Sequence, residues 1–431
     1  MKHFPFLFLF FSGTIFAQEK LTLQQAIEIG LNNNYSITIA KNLSQIASNN
    51  VTIGNAGMLP QVNLGVVQNN GLNNTQQTYS NGSEVNRNNA SAHSVSATVE
   101  LDWTLFDGLS MFASYNKLQE LEAMGALNAR QTVENTVSAI IAGYYEILRQ
   151  RALLAVVDST AKISEVKLLI AKTKYEIGSS SKAEYLQAQV DMNSSLSSHK
   201  RQLMNIDDAK VRLNQLLARS AATPFEIDDS IGIDYSPVYE DLRTRTENHN
   251  TALLLAQRNI SFSNYSLKEL RGERFPWITF NTGYAFSKSN SQASFVMENK
   301  TYGLNYGFTV NYNIFNGFNL NRSIRNAKIS LENSRLLYSD TQMQIDADLL
   351  IAYRNFQNNL DLLKLEQENL QLAKENITLS LERFRVGTID ALNLKEAQQT
   401  YTEAALRLVS AKYQTKMSEN DLKRITGQLI E

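Results

Sequence analysis

The sequence contains no cysteine. That excludes disulfide frameworks, zinc–thiolate sites and cysteine nucleophiles together, and it predicts no lipid anchor on a mature N-terminal cysteine. Proline is scarce, with 5 in 431 residues, so little stands in the way of long helices. The four histidines are His3, His93, His199 and His249, too far apart for metal-ligand spacing. The formal net charge is −1, which leaves no electrostatic footprint for nucleic acid. After the N-terminal segment no run of about 18 apolar residues occurs, so no transmembrane helix is predicted. A Gly-rich phosphate loop, a Gly-x-Ser-x-Gly elbow and a nucleophile spaced from a base are also missing. These absences point away from an enzyme, a cofactor or a metal.

What is present is 43% hydrophobic and 19% charged, a composition that excludes wholesale disorder. Met1-Lys2-His3 precedes the apolar run Phe4–Phe11, and Ala17 precedes Gln18. Residues 1–17 therefore read as a secretory signal peptide. The periodicity then predicts a helix from Thr22, a second from about Ser36 to Ala56, and a stop before Pro60. Past Pro60 the period falls to two. Strands are predicted at about 61–68 and 95–106, the second alternating Val95, Ala97, Val99, Leu101, Trp103 and Leu105 with polar residues. The polar stretch Asn69–Ser91 between them reads as an exposed loop. A helical hairpin over 109–220 follows, its first arm roughly 100 Å long at about 1.5 Å per residue. That length suits a coiled coil or helical barrel.

The order then repeats. A linker at 223–238, bracketed by Pro224 and Pro237, carries short strand-like pieces. Next come a helix (Ala252–Leu270), strands at about 277–287 and 302–315 flanking a polar loop, and a second hairpin over 318–428. Phe315-Asn316-Gly317 matches Phe106-Asp107-Gly108 at an offset of 209, as do Tyr353 with Tyr144 and Gly387 with Gly178. Pro276 matches Pro60 at 216. The mature chain is thus read as two tandem copies, 18–222 and 239–431. Each strand has the length of a tilted transmembrane β-strand, and charge is nearly absent from the strand regions. Both tryptophans, Trp103 and Trp277, fall at the strand ends nearest the helices, where an interfacial aromatic girdle sits. Four strands cannot close a barrel, and an open edge in lipid leaves backbone groups unpaired, so a membrane reading requires several chains. The competing reading is an exported coiled-coil scaffold or adhesin with a soluble β-module.

The landmarks Leu21-Thr22-Leu23-x-x-Ala26, the helix-Pro-strand junctions, the paired Phe-Asx-Gly corners, the two Gly-containing tips and the duplication together resemble the TolC-type outer-membrane efflux proteins. The resemblance covers nearly the whole mature chain. It implies an α+β membrane protein in which three chains share one twelve-stranded barrel, continued by a helical tunnel across the periplasm. It also implies a passive exit duct in the outer membrane of a Gram-negative bacterium, for tripartite efflux or type I secretion. The implied partners are a periplasmic adaptor and an inner-membrane pump of the RND or ABC type. By the same resemblance Asn393, Glu396 and Glu184 ring the periplasmic aperture. Gly178, Ser179, Ser180, Gly387 and Thr388 form the hairpin tips that meet the adaptor. The tyrosine and arginine of the family's lock fall at Phe384 and Ile389, which cannot make its bonds. The tips have a plainer role as well: Gly178 and Gly387 suit helix C-termini, and Ser181 and Asp390 suit N-caps.

Overall fold

In the computed structural model residues 19–227 and 229–430 are described; the signal-peptide reading of residues 1–17 lies outside them. The elements run β1 (Glu19–Lys20), α1 (Leu23–Asn33), α2 (Tyr35–Asn49), β2 (Gln61–Thr78), β3 (Glu84–Phe106), α3 (Ser110–Glu176) and α4 (Lys182–Leu216). They continue with β4 (Phe225–Glu226), α5 (Tyr239–His249), α6 (Thr251–Gly272), β5 (Trp277–Ser291), β6 (Glu298–Asn311), α7 (Asn319–Arg385) and α8 (Ala391–Ile425). Helices α3 and α7 each have 67 residues, and α4 and α8 each have 35. The chain forms two compact units. One holds the described residues up to Lys41, with Ala129–Thr251 and Met343 onward; the other holds Asn42–Asn128 and Ala252–Gln342.

The first unit is helical. Thr22 caps α1 through a reciprocal capping box with Gln25, which satisfies two otherwise orphaned amides. Leu21, Ala26, Ile140, Tyr144, Leu213, Leu217 and Phe225 close a core among α1, α3, α4 and the β1–β4 pair. The repeat builds a second core from Leu242, Leu349, Phe356 and Leu422. Two asparagines reveal the duplication in bonds: Asn34 donates to the Leu216 carbonyl at 2.8 Å and Asn250 to the Ile425 carbonyl at 2.9 Å. Each fastens a short-helix junction to the end of a hairpin, supplying a donor to a carbonyl in the last turn.

The second unit contains a four-stranded antiparallel sheet in the order β2-β3-β5-β6. Its register aligns the apolar alternation across all four strands. Leu64, Val99, Tyr284 and Leu304 form one row, and Val66, Ala97, Phe286 and Tyr302 the next. The opposite face carries Asn63, Glu100, Gly283 and Asn305 in one row, and Asn281 donates to Asp102 at 2.5 Å in another. Large apolar side chains on the first face stay open to the surroundings, Leu304 and Leu64 among them.

Three expectations are corrected. The segment 69–91 is not a loop: β2 and β3 stay paired beyond the apolar rows to Thr78 and Glu84 and turn only at Tyr79–Ser83, where Gly82 has φ +80°. Ladder bonds join backbones, so two polar faces do not prevent pairing; they only remove the hydrophobic signal. Likewise β5 reaches Ser291 and β6 begins at Glu298 but stops at Asn311, short of the expected 315. Helix α2 ends at Asn49 instead of Ala56, because Thr52 organises a separate turn, its hydroxyl accepting from the Asn55 amide, and Gly57 has φ +84°. Among the described residues no helix is long and apolar enough to cross a membrane.

Candidate functional site at the hairpin tips

Both tips are built the same way. In α3 the Ser179 amide donates to the Lys174 carbonyl and the Gly178 amide to Tyr175. In α7 the Thr388 amide donates to Arg383 and the Gly387 amide to Phe384. This is the Schellman pattern, with the glycines at φ +72° and +81° supplying the left-handed residue it needs. The Ser179 and Thr388 hydroxyls donate to the same Lys174 and Arg383 carbonyls. The returning helices are capped by Ser181, whose Oγ accepts from the Glu184 amide, and by Asp390, which accepts from the Asn393 amide. The capping role predicted for these residues is therefore present.

A cleft of about 880 Å³ brings the two tips together. Ser179, Ser180 and Glu184 line it from the first hairpin; Gly387, Thr388, Asn393 and Glu396 line it from the second. Gly178 lies outside that lining. Glu184 is half-buried and accepts from the Ser180 hydroxyl, whereas Asn393 and Glu396 are exposed. Asn393 is partly occupied, since its side-chain amide donates back to Asp390 at 2.9 Å. Nothing in this cleft has the donor set of a metal centre, and among the described residues no such cluster was found.

The lock positions sit differently. Phe384 is 1% exposed and forms a small core with Ile377, Leu394 and Ala397, against which Ile389 packs. Lys174 of the first hairpin covers this residue. Its Nζ lies 4.3 Å from the ring centroid and donates to the Phe384 carbonyl at 2.8 Å. One ammonium thus makes a cation–π contact and a charge-assisted hydrogen bond to the end of the neighbouring hairpin. Lys174 is the repeat partner of Arg383, so the position is basic in both copies, but nothing in the sequence points to Phe384 as its partner.

Further from the tips, Lys167 pairs with Asp191 at 2.8 Å, with side chains 4% and 20% exposed. Burial pushes the Asp191 carboxyl up, but hydrogen bonds from Lys167 and Gln187 outweigh it and hold the group below the usual carboxylate value. The hairpins are also tied by Gln398, which donates to the Ser164 hydroxyl at 3.0 Å. None of these contacts was visible in the sequence, because they depend on which helix faces which.

The two tryptophans belong to the other unit. Trp103 shares the apolar face with Phe280 and Phe308 and donates its indole N–H to the Met58 carbonyl at 2.9 Å. Trp277 does not join it. Its pairing with Asn311 puts it in the alternation of Thr279 and Asn281, because neighbouring residues of a strand point to opposite faces. Trp103 and Trp277, expected together in one interfacial row, therefore belong to opposite faces of the sheet, and the neighbours of Trp103 in its row are Phe280 and Phe308.

An antiparallel sheet with an apolar face, and two 67-residue helices that turn back at capped tips, define a chain of mixed β-sheet and α-hairpin construction. The outer membrane efflux protein family matches this chain over residues 26–219 and 242–428, and the chain belongs to that family. It is an outer-membrane efflux channel, and the soluble scaffold or adhesin reading falls away. No curated protein matches its sequence. Among solved structures the fold is similar to VceC of Vibrio cholerae, with a TM-score of 0.77 at 13% identity, covering 94% of this chain and 96% of that one. It is also similar to the CmeC outer membrane channel of Campylobacter jejuni, with a TM-score of 0.77 at 14% identity over 95% and 86%. The open state of the Neisseria gonorrhoeae MtrE channel gives 0.72 at 15% identity over 94% and 89%.

Proposed function

We propose that three copies of this chain close a twelve-stranded barrel through the edges of β2 and β6, and that their hairpins enclose a passive exit duct. The observation that carries this reading is the sheet itself. Its apolar face is continuous over four strands, yet β2 and β6 each pair on one side only, and an unpaired edge in lipid costs several kcal/mol per orphaned group. The duct makes and breaks no bond. Cargo is driven by an inner-membrane pump, of the RND or ABC type, through a periplasmic adaptor that grips Gly178, Ser179, Ser180, Gly387 and Thr388.

The constriction of the duct lies at the tip cleft. Asn393 and Glu396 face the passage, with Glu184 behind them and the capping carboxylate of Asp390 beside Asn393, so each chain contributes two exposed carboxylates and one amide. Lys174 replaces the lock that Phe384 and Ile389 cannot make: it holds the two hairpins of one chain together, and the passage widens when they separate. Replacing Glu396 with Lys tests the placement in planar bilayers. Block of single channels by multivalent cations should fall at least about tenfold, the effect of losing roughly 1.4 kcal/mol of attraction per site. Unchanged block and conductance would take Glu396 out of the constriction.

A further inference from the structure

On β5 and β6 the apolar face of the sheet ends at one row, while on β3 it runs one residue pair further, to Val95 beside Lys288. Moving away from the helices, Phe286 and Tyr302 occupy the last apolar row, and the next residues in the same alternation are Lys288 and Lys300, directly paired across β5 and β6. One row further stand Asn290 and Glu298, which are polar. The apolar rows from Ile278 to Phe286 extend about 27 Å along the strand at about 3.4 Å per residue, close to the height of the lipid-facing band of an outer-membrane barrel. Two lysines are therefore directly paired in register at the rim of the apolar face.

Their setting favours an anion. The Lys300 Nζ lies 5.7 Å from the Phe286 ring centroid and 5.9 Å from that of Tyr302, so the aromatic row forms a shelf beneath it. Lys288 meets the Glu298 carboxylate at 3.1 Å, with side chains 44% and 57% exposed; such an exposed pair contributes little and exchanges readily. A lysine at this depth keeps its stem on apolar surface and its charge at the headgroup level, where anionic lipids attract each basic side chain.

We propose that Lys288 and Lys300 form a binding site for the phosphate of an anionic glycolipid in the outer leaflet, with Phe286 and Tyr302 supporting its acyl chains. This rests on the reading of the sheet as membrane-spanning. The site fixes the depth of the barrel from the outer side, as Trp103 does near the helices.

The test uses the purified full-length protein in neutral detergent, with bound lipid counted by native mass spectrometry. Diphosphorylated lipid A should be retained by the native protein, with its dissociation constant raised roughly thirty-fold by K288Q/K300Q together and kept near native by K288R/K300R. Fully dephosphorylated lipid A should bind the native and doubly substituted proteins alike. Equal retention of the diphosphorylated lipid by K288Q/K300Q overturns the proposal. So does its displacement by millimolar inorganic phosphate, which would make free phosphate the occupant. Single-channel conductance of K288Q/K300Q in phosphatidylcholine bilayers separates this from the duct reading: loss of lipid retention with native conductance supports the site, and a native protein without conductance counts against the duct.

Discussion

At the scale of the residue, Lys174 carries the most at the tips. Its ammonium reaches the Phe384 carbonyl, which also accepts from the Gly387 amide, and sits over a ring that is fully buried. A charge-assisted bond and a cation–π contact together are worth about 2 kcal/mol. Lys174→Met keeps the aliphatic packing on Phe384 and removes only the charge. It should shift the closed-to-open balance by roughly thirty-fold, since about 1.4 kcal/mol is a factor of ten. The expected readouts are a higher open probability in planar bilayers and faster amide exchange over residues 384–390. Lys174→Arg, which retains both contacts, should stay near native. If the Met variant gates and exchanges like the native channel, the ammonium is not the clamp.

At the scale of the element, the corners and hairpins divide what the sequence makes legible from what it hides. The Phe106-Asp107-Gly108 corner was readable from its copy at 315–317, and the structure supplies the reason for the glycine. Gly108 has φ +73°, and a Cβ there would come within 2.0 Å of the Gly272 carbonyl oxygen. Gly178 has a similar φ of +72° but open space around it. Gly178→Ala should therefore cost about 1 kcal/mol for the left-handed backbone alone, whereas Gly108→Ala should cost about 3 kcal/mol because backbone has to move as well. The temperature at which the assembly dissociates on semi-native gels ranks the two, and an equal drop would mean the Gly108 contact relaxes freely. Hydrophobic periodicity marked the strands only where one face is apolar, so it found 95–106 and missed the polar ladder of 69–78 with 84–94. The tip clamp was hidden for a related reason: a lone Lys174 on a long helix has no pattern, and its meaning comes from the Phe384 it faces.

At the scale of the whole molecule, the duplication predicts how copies of the chain join. The register within the two β-hairpins is identical under the repeat: Gln61 opposite Asp102 becomes Trp277 opposite Asn311 when β2 is advanced by 216 residues and β3 by 209. The contact between the hairpins is β3 against β5, with Leu101 opposite Thr282. Carrying the same operation around the barrel sets β6 of one chain against β2 of the next and puts Val310 opposite Val66. Facing residues of antiparallel strands have Cα atoms about 4.5–5.5 Å apart, within the span a disulfide bridges. The protein has no cysteine of its own, so the double substitution V66C/V310C introduces the only thiols. Mild oxidation of this variant in membranes should give covalent dimers and then a closed covalent trimer on denaturing, non-reducing gels. V67C/V310C, shifted by one residue to the opposite face of the strand, should stay monomeric. Equal cross-linking of both variants, or of neither, would break the link between the internal repeat and the assembly, and a ladder continuing past three chains would replace the closed trimer with a larger ring or an open array.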